Sequence, residues 1–100
     1  MVKHIVMFKL TPFESEAAKM ERMNQIKNEL EALKGLIPNV VDLKVGLNTN
    51  PNETWDVVLE SEFPTWEDLN NYAVHPLHVA CAKNFIGPVK ADRACVDYEF

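Results

Sequence analysis

Two of the three histidines and one of the two tyrosines lie within seven residues of one another, at Tyr72, His75 and His78. Imidazole and phenol groups can donate or accept a proton near physiological pH, and both can orient a polar ligand. Pro76 divides the cluster, so the backbone that carries these side chains is constrained. The pattern indicates a candidate pocket whose chemistry would be proton transfer.

His78 would be the third residue of a helix that begins at Pro76, since proline suits a first helical position. The helix dipole disfavours a positive charge there, which predicts a neutral imidazole able to act as a base or hydrogen-bond partner. A histidine that only packs beside the turn is the alternative. His75, which precedes the proline, is interpreted as a structural residue that fixes the break together with Pro76, with a catalytic role as its alternative.

Tyr72 occupies the apolar face of the preceding helix, where a core tyrosine with a satisfied hydroxyl is the alternative to a catalytic one. His4 lies on an apolar face of the first strand with Val6 and Phe8, and a packed core histidine is again the alternative. If that strand and the second helical region converge, His4, Tyr72 and His78 line one cavity.

The elements that must position these residues follow from hydrophobic periodicity. Strand patterns cover residues 2–10, 40–47, 55–63 and 91–100, and helical patterns cover 15–34, a short segment from Thr65, and 76–85. This β-α-β-β-α-β order predicts one α+β domain over residues 1–100, with a ferredoxin-like, antiparallel four-stranded sheet and helices on one face.

Each strand has one apolar face, which we expect to pack on the helices. The opposite face carries Ile5 and Met7 of a central strand, and a second copy of the sheet would keep them from water, which predicts a homodimer. The residues expected to face inward include Met20, Met23, Ile26, Leu30 and Leu33 of the first helix, Val41 of the second strand, Trp66 and Leu69 of the second helix, and Ala94, Val96, Tyr98 and Phe100 of the last strand. The residues expected on the opposite face are Ile5, Met7, Val40, Val58 and Cys95, with several charges.

Composition excludes several classes of partner. The net charge is −5 and the ten basic residues are scattered, which argues against nucleic acid and anionic membranes as partners. No apolar stretch approaches the ~20 residues that span a bilayer, and no secretory leader is evident, so we expect a cytoplasmic protein. Cys81 and Cys95 are expected to be buried thiols, although a disulfide stays open. No metal-binding or phosphate-binding motif is present, so we expect neither a metal site nor a cofactor.

Segments 2–9, 72–79 and 96–98 together resemble the stress-responsive α/β-barrel (Dabb) domain family, and the resemblance extends over the whole chain. It implies a ferredoxin-like protomer whose sheet pairs with that of a second copy to form a dimeric α/β barrel. The family includes plant stress-responsive proteins and olivetolic acid cyclase, which closes a linear polyketide by an aldol reaction. Its histidine and tyrosine match His78 and Tyr72, and His4 matches a pocket histidine. Val57 stands where the cyclase has a further histidine, and Val57 and Trp55 are expected to contact the substrate.

Two functions from different classes remain. In the first, a cyclase-like or lyase-like enzyme acts on a small carbonyl compound: His78 abstracts a proton, Tyr72 hydrogen-bonds the developing oxyanion and His4 orients the substrate. In the second, the chain is a stress-response or ligand-binding homodimer without chemistry, and the histidine cluster only fixes the helix break. A cofactor-independent monooxygenase ranks third, because no residue specifically supports it.

Overall fold

Four strands and three α-helices follow one another in the predicted order. The computed structural model describes all 100 residues. The strands are β1 (Val2–Leu10), β2 (Asp42–Leu47), β3 (Val57–Phe63) and β4 (Lys90–Glu99), and the helices are α1 (Glu16–Glu31), α2 (Trp66–Val74) and α3 (Pro76–Cys81). A 3₁₀ turn extends α1 over Ala32–Gly35, and a π-helical turn, Ala82–Ile86, continues α3. None of the helices combines the length and apolar character that crossing a bilayer requires.

The sheet is antiparallel and has the strand order β2-β3-β1-β4. β1 is central, and its Val6 lies opposite Leu59 of β3 on one side and Cys95 of β4 on the other. The helices cover one face of the sheet. The prediction of a ferredoxin-like α+β protomer with a four-stranded antiparallel sheet is therefore confirmed.

Side-chain caps explain where the two longer helices begin. Ser15 has an extended backbone, and its Oγ accepts a hydrogen bond from the N–H of Ala18 at 3.1 Å. Thr65 begins α2 in the same way, accepting from the N–H of Asp68 at 3.1 Å. These caps satisfy N–H groups that have no partner within the helix.

The core is a single cluster of 19 buried residues between the sheet and the helices. Met23, Ile26 and Leu30 are the buried residues of α1, whereas Met20 is exposed, contrary to expectation. Met20 lies about 90° around the helix axis from the centre of that buried stripe, at 100° per residue. The sequence prediction is also wrong for two further positions: Val41 and Trp66, expected to face inward, are both exposed.

Residue Val40 is buried although it was assigned to the opposite face of the sheet. β2 begins only at Asp42, so the alternation of a strand does not extend back to this position. Val40 instead joins the core cluster from the loop that precedes β2.

The apolar residues of β4 face away from the helices. Val96 lies opposite Ile5, and Ala94 lies opposite Met7, on the outer face of the sheet. Residues directly opposite one another in an antiparallel pair share a face. The expectation that these β4 residues pack on the helices is therefore wrong, because alternation defines two sets of residues without saying which set faces inward. The residues concerned are Ala94, Val96, Tyr98 and Phe100.

A patch of apolar side chains consequently lies on the outer face. We call it the outer apolar patch, and its residues are Ile5, Met7, Val58, Ala94, Val96 and Tyr98. Val96 is 55% exposed, and Tyr98 is exposed as well. Ion pairs occupy the neighbouring part of this face, with Lys3 and Glu62 in contact at 2.8 Å. The protomer thus presents apolar groups of its two neighbouring strands β1 and β4 to solvent.

Both cysteines are free thiols. Cys81 is buried as predicted, but Cys95 is exposed, so the expectation of a buried thiol is wrong there. β4 is an edge strand, and Cys95 lies opposite Val6 on the side of the sheet that carries the helices. The open edge of the sheet leaves that side of Cys95 accessible.

Candidate functional site

The break between α2 and α3 brings Tyr72 and His78 together. In an uninterrupted helix, side chains six residues apart would point about 120° apart and lie about 9 Å apart along the axis. At the break, His75 has an extended backbone (φ −63°, ψ 135°) and Pro76 begins a new helix. The two ring centroids lie 4.4 Å apart, with the ring planes inclined by 43°. The kink is therefore what makes one site of the two side chains.

At this break the imidazoles of His75 and His78 replace a backbone hydrogen bond of the helix. The Nδ1 of His75 accepts a hydrogen bond from the N–H of Leu77 at 3.1 Å. In a continuous helix, that N–H would donate to the carbonyl of Ala73. The Ala73 carbonyl instead accepts from Nδ1 of His78, at 3.0 Å. His75 thus caps α3, and the carbonyl that this cap releases orients His78.

The hydrogen bond to Ala73 determines the tautomer of His78. A carbonyl oxygen can only accept, so Nδ1 must carry the proton. Nε2 of the neutral ring is then left with a lone pair, which can accept a proton. Burial lowers the pKa of His78 below 6.5, and the positive charge of Arg93 also lowers it, which together outweigh the hydrogen bond to Ala73, which raises it. The neutral form that a general base requires is therefore favoured.

Tyr72 is one of the most deeply buried residues, with 1% of its surface exposed. Its ring packs against Phe63 at a centroid distance of 5.1 Å. Its hydroxyl is buried and has no hydrogen-bond partner in the protein. Buried hydroxyls are normally paired, so an unpaired one beside a cavity is suited to bind a polar ligand atom. Burial also raises the pKa of Tyr72, which keeps the group a protonated donor.

A cavity of about 180 Å³ joins these groups to β1. It is mostly apolar, with Val6, Leu30 and Leu59 among its lining residues, and Tyr72 and His78 also line it. Pockets for drug-sized ligands measure about 300–1,000 Å³. The volume therefore suits a small compound. The remaining lining residues are His4, Phe8, Ala73, Ala82, Ile86, Gly87, Lys90 and Arg93.

His4 lies in the same cavity, as the sequence predicts, and its Nδ1 is hydrogen-bonded to the carboxylate of Asp97. Trp55 and Val57, which the resemblance led us to expect at the substrate, do not line this cavity. Both line a second cavity of about 330 Å³. Val57 lies opposite Phe8, four residues along β1 from His4, which is about 13 Å at 3.3 Å per residue.

Sequence reasoning missed several residues of the site. Leu59 is the β3 residue that lines the cavity, since it lies opposite Val6. Lys90 and Arg93 add positive charge to the lining, and neither takes part in an ion pair. The signal for Arg93 was its alternation with Cys95 and Asp97 on one face of β4, but that face was taken to be the outer one.

Comparisons with known proteins agree with this architecture. The sequence model of the stress responsive A/B barrel domain matches residues 2–100. The stress-response A/B barrel domain-containing protein DABB1 of Arabidopsis thaliana is 32% identical over 97 residues, which are 97% of this chain and 46% of that protein. The chain thus spans about half the length of that curated relative.

Two solved structures are similar to the whole fold. A dimeric protein of unknown function with a ferredoxin-like fold, from Bacteroides fragilis, is 47% identical with a TM-score of 0.92, covering 99% of this chain and 95% of that one. The hydroxynitrile lyase of Passiflora edulis is 22% identical with a TM-score of 0.77, covering 97% of this chain and 90% of that one. The second likeness concerns the fold alone.

Proposed function

This chain belongs to the stress-responsive A/B barrel domain family, and we propose that it forms a homodimer in which each protomer catalyses proton transfer on a small carbonyl compound. One observation carries the proposal. Tyr72, whose buried hydroxyl has no partner, lines the same cavity as His78, whose Nδ1 is committed to a backbone carbonyl. One residue can therefore donate a hydrogen bond while the other accepts a proton.

The reaction follows from these two roles. Nε2 of His78 removes a proton from the carbon next to the substrate carbonyl, and the electron pair of that C–H bond forms an enolate. The hydroxyl of Tyr72 donates a hydrogen bond to the oxygen on which negative charge develops. Return of the proton completes an exchange reaction. In an aldol reaction the enolate carbon instead attacks a second carbonyl, and the resulting alkoxide takes the proton back from His78. Cleavage in a lyase is the reverse of that aldol reaction.

Apolar walls support this chemistry. Val6, Leu30 and Leu59 exclude water from the cavity, which strengthens the interaction of a hydrogen-bond donor with a developing charge. His4, held by Asp97, is available to orient a polar substrate atom. The substrate class that fits is a small, partly apolar ketone or aldehyde.

The outer apolar patch supports the homodimer. Face-to-face packing of two sheets would bury Ile5, Met7 and Val96 in both copies at once, because a two-fold interface uses the same surface twice. Each Å² of apolar surface buried in this interface would stabilise the dimer by roughly 25 cal/mol. The similar protein from Bacteroides fragilis is itself dimeric. Two free thiols agree with a reducing cytoplasm as the location.

Deuterium exchange tests the chemistry without knowledge of the natural substrate. The protein is incubated in D₂O with acetophenone or methyl pentyl ketone, and loss of the α-proton signal is followed by NMR. We expect exchange above the buffer rate, and a loss of about 10²–10⁴-fold in the His78→Asn variant. The asparagine amide can still donate to the Ala73 carbonyl, so this change removes the base while retaining the contact that orients residue 78.

His75→Asn is the matched control, because asparagine is a good N-cap and should preserve the helix break. Its exchange rate should stay close to that of the unmodified protein. Exchange that survives in a folded His78→Asn protein would refute the proposed base. Ketone binding without any exchange would favour the alternative, a ligand-binding homodimer.

A further inference from the structure

Three potential metal ligands meet at the edge of the sheet. His4 of β1 lies directly opposite Asp97 of β4, and Cys95 lies two residues earlier on the same strand face. The Sγ of Cys95 is 3.7 Å from Nδ1 of His4 and 3.6 Å from Oδ1 of Asp97. Imidazole nitrogen, thiolate and carboxylate are the three side-chain ligand types that proteins use for zinc.

The donor distances are close to those of a tetrahedral site. With bonds of about 2.0–2.3 Å to zinc, donor atoms stand roughly 3.3–3.6 Å apart. Both distances to the Cys95 sulfur already approach that range. His4 and Asp97, now hydrogen-bonded to each other, would separate by about 1 Å to admit the ion, which side-chain rotation can provide.

A cysteine nucleophile does not explain the cluster as well. In a Cys–His–Asp relay, the thiol and the carboxylate contact different nitrogens of the imidazole. Here Cys95 and Asp97 both contact the same atom, Nδ1 of His4. Three donor atoms this close to one another are arranged as the ligands of a metal site are.

We propose that His4, Cys95 and Asp97 bind a divalent metal ion such as zinc, with three protein ligands and one coordination position open to solvent. Because the set contains a thiol and an imidazole, it favours zinc over magnesium or calcium, which take oxygen ligands. Cys95 and Asp97 are exposed, so solvent can reach the ion and supply the fourth ligand. Coordination through Nδ1 leaves the ring proton on Nε2 of His4.

Neither His78 nor Tyr72 takes part in this metal site, and His4 is the one residue that the site shares with the cavity of the proposed proton transfer. The linear sequence gives no metal motif, since His4 and Asp97 are 93 residues apart. Only the pairing of β1 with β4 assembles the ligands. The i, i+2 spacing of Cys95 and Asp97 was the available signal, because a strand places such residues on one face.

Cobalt titration tests the site directly. The full chain is treated with a chelator and titrated with Co²⁺, and the thiolate-to-cobalt charge-transfer band in the near ultraviolet is recorded. We expect one equivalent per chain and displacement of cobalt by added Zn²⁺. Cys95→Ser should abolish the charge-transfer band, and Asp97→Asn should weaken Co²⁺ binding at least tenfold. Cys81→Ser is the matched control, since Cys81 is buried elsewhere, and should keep the band.

Two outcomes would overturn the proposal. One is the lack of a charge-transfer band at saturating Co²⁺ in the unmodified protein, and the other is a band that survives in Cys95→Ser. Circular dichroism of each variant confirms that the fold is retained, which an exposed serine in place of Cys95 should not disturb. Because the readout is spectroscopic, its result is independent of the ketone exchange assay.

Discussion

Replacement of Tyr72 by phenylalanine should raise stability and lower activity at the same time. The Tyr72 hydroxyl is buried and has no hydrogen-bond partner in the protein. The variant keeps the ring and therefore its contacts with Phe63 and His78. A core tyrosine whose hydroxyl is satisfied would behave differently, since its removal breaks a hydrogen bond. The sign of the change in unfolding free energy therefore distinguishes a ligand-binding hydroxyl from a structural one.

The structure gives a magnitude for both effects. A buried, unpaired polar group costs roughly 1–3 kcal/mol, so we expect Tyr72→Phe to raise the free energy of unfolding by about 1 kcal/mol. For a domain of this size that corresponds to an increase in Tm of about 4–8 °C. Loss of a donor to a developing oxyanion typically lowers the rate about 10²–10³-fold, which is the expected fall in ketone deuterium exchange.

Urea denaturation and NMR exchange measure the two quantities on the same preparation. Tyr98→Phe is the control, because Tyr98 is the other tyrosine and lies outside the cavity, and the variant keeps the aromatic ring that belongs to the outer apolar patch. It should change stability by less than about 0.5 kcal/mol and leave exchange intact. A Tyr72→Phe protein that is less stable than the original would show that the hydroxyl is already satisfied. A stabilised variant with full activity would remove Tyr72 from the mechanism.

Three further predictions concern the base, the dimer and a buried carboxylate. Because the pKa of His78 is lowered from 6.5, the exchange rate should rise with pH through a value below 6.5 and then level off. On acidification, His78 is protonated in the unfolded chain before it is protonated in the folded one, so the free energy of unfolding should fall as pH drops below 6.5. Urea titrations of His78→Asn at several pH values should lack this part of the pH dependence. Val96→Glu should dissociate the dimer at micromolar concentration in analytical ultracentrifugation, because two valines that each contribute about 1.5–3 kcal/mol are replaced by charges. Val74→Glu, at a position 74% exposed on α2, should remain dimeric. Equal behaviour of the two variants would contradict the sheet interface. Asp56→Ala should lower the free energy of unfolding by about 2 kcal/mol, because the Asp56 carboxylate accepts a hydrogen bond from the Leu10 N–H at 2.7 Å and pairs with Lys19 at 2.8 Å. An unchanged urea midpoint would show that Asp56 does not stabilise the fold.

Local patterns in the sequence were sufficient for the element order. The apolar run of β1, the three- and four-residue spacing of Met23, Ile26 and Leu30, and the break at Pro76 each report a backbone preference that does not depend on distant residues. These signals also located Tyr72 and His78 on either side of a kink. They could not show that the kink frees a backbone carbonyl for His78, because that depends on which acceptor the Leu77 N–H selects.

Sequence patterns did not show which face of a strand packs on the helices or which residues lie opposite one another in the sheet. Val96 and Cys95 alternate clearly, but which of them faces the helices depends on the register with β1. Val57 was expected at the site because the resemblance aligns it with a histidine of the cyclase, and the strand register places it four residues along β1 from His4. The error at β4 arises because strand periodicity determines which residues share a face but not where that face lies.

The sequence by itself determined the order of strands and helices, the ferredoxin-like class and the titratable cluster at residues 72–78, because local propensity and periodicity encode them. The tertiary structure alone decided which side of β4 faces the helices, that the Tyr72 hydroxyl has no partner, and that Asp97 and Cys95 meet His4 from the far end of the chain. These are contacts between residues up to 93 positions apart. Only strand pairing and packing fix such contacts.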